Sequence, residues 1–344
     1  MIWGENGSGK TSILEAVHIL SMGKSFRTHM QKNLIKNGEE GYVVQGFFNT
    51  QELKSTVATE LKKKGIQKTK INGKKLLNRK ELIGRNNVVV LSPEEQNITK
   101  GGPSERRKFF DRLFSMVSGN YIDALQSYNR ALKQRNSALL TSKGRTSSKE
   151  GFLYWNEPLA IYGEKVWKIR KELIKEFQKD LAVIIKKYGG NITIDLDHIC
   201  LGFEKKIFIE HLLKTKHKDI KYKTTRTGPH RDNISIKFSG KNIRLFGSQG
   251  EHKISLVLLK LAEVVFIKNK TGKYPMLLLD DVFAKLDLER SRNLVRLIND
   301  LELESGEQLQ TIVTTTDIID IQKSGMFDTK KETVTHKLER KCNT

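Results

Sequence analysis

Short apolar runs separated by Gly and Lys turns characterise the chain between residues 41 and 90. The runs are YVVQGFF, STVATEL, QKTKINGKK and NNVVVLS. Such runs, bounded by turn residues, are typical of β-strands. The pair Asn72-Gly73 has the sequence of a two-residue hairpin turn. The pattern therefore predicts a twisted antiparallel sheet over residues 41–90.

A helical period replaces this pattern over residues 103–188. Phe110, Phe114 and Val117 recur at the spacing of one helix face. The polar stretch 141–151, TSKGRTSSKEG, predicts a loop between two helices or helical pairs. This part of the chain is therefore predicted to be helical.

Strands return after residue 188. The segments ITIDLDHI, ISIKF and IRLF predict strands, the last two joined by the turn Ser239-Gly240. The chain then alternates helix, strand (MLLLD), helix and strand (TIVTTT). This alternation indicates an α/β fold in which helices cover a sheet.

Charge and cysteine content restrict the function classes. The 62 Lys and Arg residues exceed the 39 Asp and Glu residues and give a net charge of +23. This excess predicts a polyanionic partner, although a generally lysine-rich surface stays open as an alternative. Cys200 and Cys342 are too few for a disulfide framework. The longest apolar stretch, 254–267, contains Lys260 and Glu263, so we expect no membrane span and a cytoplasmic location.

The chain opens on a phosphate-binding motif. The segment GENGSGKT fits the pattern G-x-x-x-x-G-K-[ST]. Glycines let backbone N–H groups surround a phosphate, and the helix that follows adds its dipole. Lys10 is expected to reach the β- and γ-phosphates, and Thr11 to ligate Mg²⁺. The predicted nucleotide-binding residues are Gly4, Glu5, Asn6, Gly7, Ser8, Gly9, Lys10, Thr11 and Ser12.

A second motif is an apolar run, YPMLLL, closed by Asp280 and Asp281. A buried strand of this kind delivers its acids at its C-terminal tip, where open α/β sheets bind ligands. We expect Asp280 to hold Mg²⁺ and Asp281 to position or deprotonate the attacking water.

Between these motifs, Ser248, Gln249 and Gly250 precede a strongly apolar helix. A small-polar-Gly turn at a helix start can be an anion-binding N-terminus, although by itself this segment is interpreted by default as a plain helix cap. The order of signature and then acidic strand is that of ABC-type ATPases, in which each signature meets the ATP of the opposite head.

Taken together, the motifs resemble the RecF family in content and order. Beyond the phosphate loop they are GKSFRT, LSPEE, KGGPSERRKFFD, YNRALKQRNSALL, TGPHRDN, SQGEHK and LLLDDVFAKLD. The resemblance covers nearly the whole chain. It implies an α/β, P-loop, ABC/SMC-like ATPase head with an inserted helical lobe. The implied division is 1–100, 101–188 and 189–344, the first and last parts forming the ATPase lobe.

The resemblance also implies function. It suggests an ATP-induced homodimer that acts at gapped DNA and single-/double-strand junctions in recombinational repair, hydrolyses ATP slowly and cooperates with RecO and RecR. By the same resemblance Asp287 takes the D-loop position. Thr314 to Thr316 lie where ABC transporters place a switch histidine, and their role stays open. Arg106, Arg107 and Lys108 form either a DNA contact or a solvated helix face.

Two departures from the family pattern stand out. The signature reads SQGEHK where SQGQQR is common, which introduces Glu251. Only three residues precede the phosphate loop, where the family has a strand-turn-strand segment. Residues 1–3 are too few for a usual strand of about 5–6 residues, so we expect a misplaced start codon or a truncated gene.

Three other functions share some of these features. An SMC-type head fragment is disfavoured because heptads are missing. A P-loop GTPase or kinase would share the phosphate loop, but Asn269-Lys270-Thr271-Gly272 lacks the Asp of a guanine-reading NKxD. A basic DNA clamp with a vestigial ATP site stays open.

Overall fold

The computed structural model describes residues 1–28, 30–49, 54–141, 151–283, 286–305, 307–326 and 333–339. Nine residues of the predicted polar loop (142–150), Ala284 and Lys285 of the acidic segment, and Cys342 lie outside them. The strands are β1 Ile2–Gly4, β2 Gly41–Asn49, β3 Lys54–Lys62, β4 Gln67–Ile71, β5 Lys74–Lys75, β6 Val88–Leu91, β7 Ile194–Ile199, β8 Asn233–Phe238, β9 Lys241–Asn242, β10 Met276–Asp280, β11 Thr311–Thr315 and β12 His336–Leu338. The helices are α1 Lys10–Met22, α2 Asn97–Lys100, α3 Pro103–Val117, α4 Gly119–Thr141, α5 Asn156–Tyr188, α6 Lys205–Lys214, α7 Lys216–Tyr222, α8 Ile243–Phe246, α9 Gln249–Thr271, α10 Leu288–Ser305 and α11 Ile318–Lys323.

The described residues group into two compact units. The first contains 1–96, 184–190 and 253–344, and the second contains 97–183 and 191–252. The predicted division placed all of 189–344 in the ATPase lobe, so the structure differs over 191–252. The physical reason is that β8 pairs with β7 and packs against α3, which ties these strands to the helices.

A five-stranded sheet forms the centre of the first unit. Its order is β12-β1-β11-β10-β6, and every pair in it is parallel. The predicted strands MLLLD and TIVTTT are confirmed as β10 and β11. Strand β6 was predicted to join the antiparallel sheet, which is wrong. Its four residues are all buried, as expected for a strand covered on both faces.

The expectation that residues 1–3 are too few for a strand is also wrong. Ile2–Gly4 forms β1, which is only three residues long. Parallel partners on both sides, β11 and β12, satisfy its backbone groups and hold this short segment in place.

A four-stranded antiparallel sheet, β2-β3-β4-β5, completes the first unit. The hairpin at Asn72-Gly73 is confirmed, and both residues have the positive φ that such a turn requires, 48° and 80°. One face of this sheet packs on Leu20 of α1 and on Leu82. Within α1, Leu14 is fully buried, whereas Ile13 is 38% exposed.

The second unit combines helices α3 to α5 with the antiparallel sheet β7-β8-β9. The predicted helical stretch is confirmed. The segment IRLF was predicted to be a strand and is helix α8. Asn242 causes this change, because its side chain accepts a hydrogen bond from the Arg244 amide and so caps a helix start.

Within the described ranges, no helix has both the length and the apolar character needed to cross a bilayer.

Candidate nucleotide-binding site

The predicted phosphate loop connects β1 to α1. Gly9 precedes the helix with φ 98° and ψ 7°, a left-handed conformation that a residue with a Cβ adopts only with strain. Gly4 has φ 154°, and a Cβ there would lie 2.2 Å from the carbonyl oxygen of Leu338. The loop shape therefore depends on these two glycines. Its residues Glu5, Asn6 and Gly7 are exposed.

Polar groups inside the loop are arranged to receive an anion. The side chain of Lys10 is buried, and its Nζ donates to the carbonyl oxygens of Gly4 at 2.7 Å and Glu5 at 2.8 Å. The Oγ of Ser8 is buried and has no hydrogen-bond partner among the described residues. A buried hydroxyl without a partner is costly unless a ligand supplies one. Ser12 is exposed in the first turn of α1.

The first acid of the strand motif meets the phosphate loop directly. Thr11 Oγ1 donates to Asp280 Oδ1 over 2.9 Å, although the two residues are 269 positions apart. Thr314 Oγ1 also donates to Asp280 Oδ1, over 2.7 Å. Asp280 pairs with Thr314 in the β10–β11 register, which fixes this contact. The structure thus brings together Thr11 and Asp280, the two residues expected to hold Mg²⁺, and adds Thr314.

Asp281 lies directly beyond the end of β10 in a strained conformation. Its φ is 49°, uncommon for a residue other than glycine. Its amide donates to the carbonyl oxygen and to Oγ1 of Thr314, both at 3.2 Å. The end of β10 and the two hydrogen bonds to Thr314 therefore fix the backbone of Asp281, from which its carboxylate projects. Backbone strain of this kind is concentrated at functional sites.

The GKSFRT segment packs on α1 next to the loop. Ser25 donates to the buried carboxylate of Glu15 and accepts from the amides of Arg27 and Thr28, each at 3.0 Å. Arg27 lies 3.8 Å from Glu94 of the LSPEE segment. A cavity of about 530 Å³ opens here, lined in part by Ser12, Glu15 and Arg27.

The other acid of LSPEE has a structural role. Lys260 of α9 is 1% exposed and contacts Glu95 at 3.0 Å, as well as the buried Glu263. An ion pair removed from water requires such close partners. The contact fixes the segment after β6 to α9.

The predicted signature forms the N-terminus of α9, in the second unit. Ser248 Oγ accepts from the Glu251 amide at 3.2 Å, and Glu251 Oε2 accepts from the Ser248 amide at 2.7 Å. This reciprocal pair is a capping box, so Glu251 has a structural explanation. Ser248 and Gln249 are exposed, whereas Gly250 is half-buried. Burial, together with nearby Lys100, lowers the pKa of His252.

Asp287 caps a helix in the structure. Its Oδ1 accepts from the Arg290 amide at 2.9 Å at the start of α10, and its Oδ2 accepts from the Arg290 guanidinium at 2.6 Å. Asp287 therefore stabilises the start of α10.

The motifs of the second unit meet in a buried polar network. Asp232 of TGPHRDN accepts from Trp167 Nε1 at 3.0 Å and from Arg170 at 2.6 Å. Arg170 also pairs with Asp111 of KGGPSERRKFFD at 2.9 Å. Burial lowers the pKa of His230 to about 4, and its Nδ1 lies 2.6 Å from Tyr128 Oη. Because these partners are many residues apart, no local signal in the sequence predicts the network.

The basic cluster on α3 does not present one solvated face. Arg106 is 4% exposed and donates to Gly101 O and Asn233 Oδ1. Arg107 donates to the backbone carbonyl of Asp232. Lys108 is exposed and pairs with Glu105 at 2.8 Å. Arg106 is therefore structural, and only Lys108 behaves as a solvated residue.

The chain is similar to known proteins over most of its length. The profile of the RecF/RecN/SMC N terminal domain family matches residues 1–338. The DNA replication and repair protein RecF of Caldanaerobacter subterraneus subsp. tengcongensis is 31% identical over 337 residues, covering 95% of this chain and 90% of that protein. The protein of the same name from Clostridioides difficile is 33% identical over 319 residues, covering 88% and 83%.

Solved structures of the recombination mediator protein RecF in the RecFOR pathway are similar as well. The RecF-ATPrS structure has a TM-score of 0.81 and 31% identity, covering 93% of this chain and 86% of that one. The RecF-ATP structure has a TM-score of 0.82 and 30% identity, covering 92% and 85%.

Proposed function

Because the chain belongs to the RecF family, with an ABC/SMC-like ATPase fold, we propose that it acts at gapped DNA as an ATP-controlled dimer. In this role it would bind single-/double-strand junctions during recombinational repair and help to load the recombinase. The RecFOR pathway of the solved relatives makes RecO and RecR the expected partners. We expect the protein to be located in the bacterial cytoplasm, because chromosomal DNA and ATP occur together there.

One observation supports the ATP-dependent part above all. Thr11 of the phosphate loop, Asp280 of β10 and Thr314 of β11 form one hydrogen-bonded group, although they come from distant parts of the chain. Hydroxyl and carboxylate oxygens are suitable ligands for Mg²⁺. This ion usually takes one or two protein ligands together with phosphate oxygens and waters. Mg²⁺ would be held by Thr11 and Asp280, and it would neutralise charge on the phosphates.

The chain's own residues then supply binding and proton transfer. Lys10 has a buried ammonium group at the loop, where it would exchange its carbonyl partners for phosphate oxygens. Asp281 would accept the proton of the attacking water as that water's oxygen bonds to the γ-phosphorus and ADP leaves. Its backbone is fixed by Thr314, so the carboxylate needs little reorganisation.

Replacing Asp281 with Asn is expected to preserve ATP binding and slow hydrolysis by at least about 100-fold. Asparagine has nearly the same shape as aspartate but cannot take a proton from water. The dimer should then persist with ATP, which sedimentation and phosphate release would measure. Unchanged turnover would place the general base elsewhere.

The signature supports a dimeric site. Its residues Ser248 and Gln249 are exposed at a helix N-terminus, where N–H groups and the helix dipole favour an anion. We propose that this N-terminus meets the γ-phosphate bound by a second copy of the chain, with Asp287 near the same contact. ATP would then join two heads, and hydrolysis would release them.

An ATPase assay with and without gapped DNA tests the proposed function. A DNA-stimulated increase in phosphate release is expected. ATP binding without any hydrolysis would support the alternative, a basic DNA clamp with a vestigial site.

DNA binding should weaken steeply with salt because the chain carries a net charge of +23. Contacts between cations and phosphates release counterions, so log K falls linearly with log of the salt concentration. We expect a slope steeper than about −2, which corresponds to roughly two phosphates. Fluorescence anisotropy over a salt series measures it, and a shallower slope would contradict binding through the phosphate backbone.

A further inference from the structure

The antiparallel sheet β2-β5 has one face without a partner in the described structure. Along β2, residues 43, 45, 47 and 49 are exposed, while the residues between them are partly buried. Val43 is 70% exposed and Phe47 is 80% exposed. Val43 and Phe47 therefore present two apolar side chains to solvent on the same strand face.

Strand register places a row of lysines on the same face. Phe47 lies opposite Thr56, and Val43 lies opposite Glu60, which in turn lies opposite Lys68. Lys70 lies opposite Ala58 on one side and Lys75 on the other. The lysines on this face are Lys54, Lys62, Lys68, Lys70 and Lys75. Among the described residues of these strands, Glu60 is the one carboxylate on the face, and it lies 3.6 Å from Lys62.

The free chain carries an electrostatic cost at this face. Lys70 and Lys75 are directly opposite in neighbouring strands, where like charges destabilise a sheet. Lys68 and Lys70 follow each other on one side of β4, about 6.8 Å apart along the strand. A ligand with repeated negative charge would offset this repulsion at several positions together.

We propose that this face binds a DNA strand, with the lysines of β4 and β5 on its phosphates and Phe47 stacked on an unpaired base. Strands β2 and β4 are two interstrand spacings apart, about 10 Å. A charged row beside an exposed aromatic ring is how proteins hold single strands without reading their sequence. The proposal rests on the proposed function, since it assigns the surface through which the chain would hold gapped DNA.

The test compares two sheet variants and a control. The double variant Lys70→Gln with Lys75→Gln removes the opposed charges, and Phe47→Ala removes the ring. All three positions are solvent-facing, so the fold should be retained. Lys171→Gln with Lys175→Gln removes the same charge from the exposed side of α5. Phe47→Trp restores an aromatic surface.

Binding is measured with a single-stranded oligonucleotide, a duplex and a gapped duplex. The lysine variant should weaken binding to all three DNAs and make the salt slope shallower by about 1–2. Phe47→Ala should weaken binding to the single strand and the gapped duplex about tenfold or more, and leave the duplex unchanged. Phe47→Trp should restore binding to the single strand and to the gapped duplex. The α5 variant should lose much less affinity than the lysine variant.

The outcomes separate this inference from the proposed function. If the wild-type chain binds gapped DNA and both sheet variants bind as the α5 variant does, the sheet is not the DNA surface, although the proposed function stands. An acidic protein would then be the better occupant of the face. If the wild-type chain binds none of the DNAs with ATP, both proposals fail. Unchanged nucleotide affinity in all variants confirms that the differences concern DNA.

Discussion

ATP binding should be abolished when Lys10 is replaced by alanine. The ammonium group of Lys10 donates hydrogen bonds to the carbonyl oxygens of Gly4 and Glu5, which positions its charge at the phosphate loop. A charge-assisted hydrogen bond contributes about 1.5–3 kcal/mol, and this lysine is expected to make more than one to the phosphates. The affinity should therefore fall well beyond tenfold, which is about 1.4 kcal/mol.

Titration calorimetry with ATP and Mg²⁺ measures this loss. Lys10→Met serves as the matched control because it keeps an unbranched, apolar stem in the buried position and removes only the charge. Both variants should lose ATP, whereas thermal unfolding without nucleotide should change less in the methionine variant. Nucleotide affinity within about tenfold of wild type in both would contradict the assignment of Lys10.

Ser248→Arg should abolish ATP-induced dimerisation while leaving ATP binding to the monomer intact. An arginine at the start of α9 would clash with an approaching second head and oppose the helix dipole. It would also break the capping box with Glu251, at a cost of about 1 kcal/mol. Glu251→Ala separates these effects, since it removes one half of the capping box and keeps Ser248 in place.

Mixing Ser248→Arg chains with Lys10→Ala chains gives the sharpest test of a site shared between two copies of the chain. Each heterodimer would contain one composite site with both changes and one with neither, so partial hydrolysis should return. Sedimentation would detect the dimer, and phosphate release would detect the repaired site. The wild-type chain must first dimerise with ATP. A mixture that stays inert, although both variants fold and pair with wild type, would exclude a shared site.

Features encoded by consecutive residues were predicted correctly. Three local patterns specified the structure that forms there. They are the glycines Gly4 and Gly9 before a helix, the Asn72-Gly73 hairpin turn, and the apolar run that forms a strand before Asp280. The reason is that backbone conformation and burial period depend on nearby residues. One exception has an equally local cause, because a cap at Asn242 made a helix of IRLF.

The sequence by itself determined that a phosphate loop, a Ser-Gln-Gly turn before an apolar helix and an acidic strand follow one another in that order, and these motifs carry the resemblance to the RecF family. Only the tertiary structure decided that Thr314 joins Thr11 on Asp280, that residues 191–252 belong with the helices, and that one sheet face presents lysines beside Phe47. These arrangements depend on strand pairing and packing between distant segments. The free energy that stabilises these arrangements comes from contacts between residues far apart in the sequence, which no local pattern predicts.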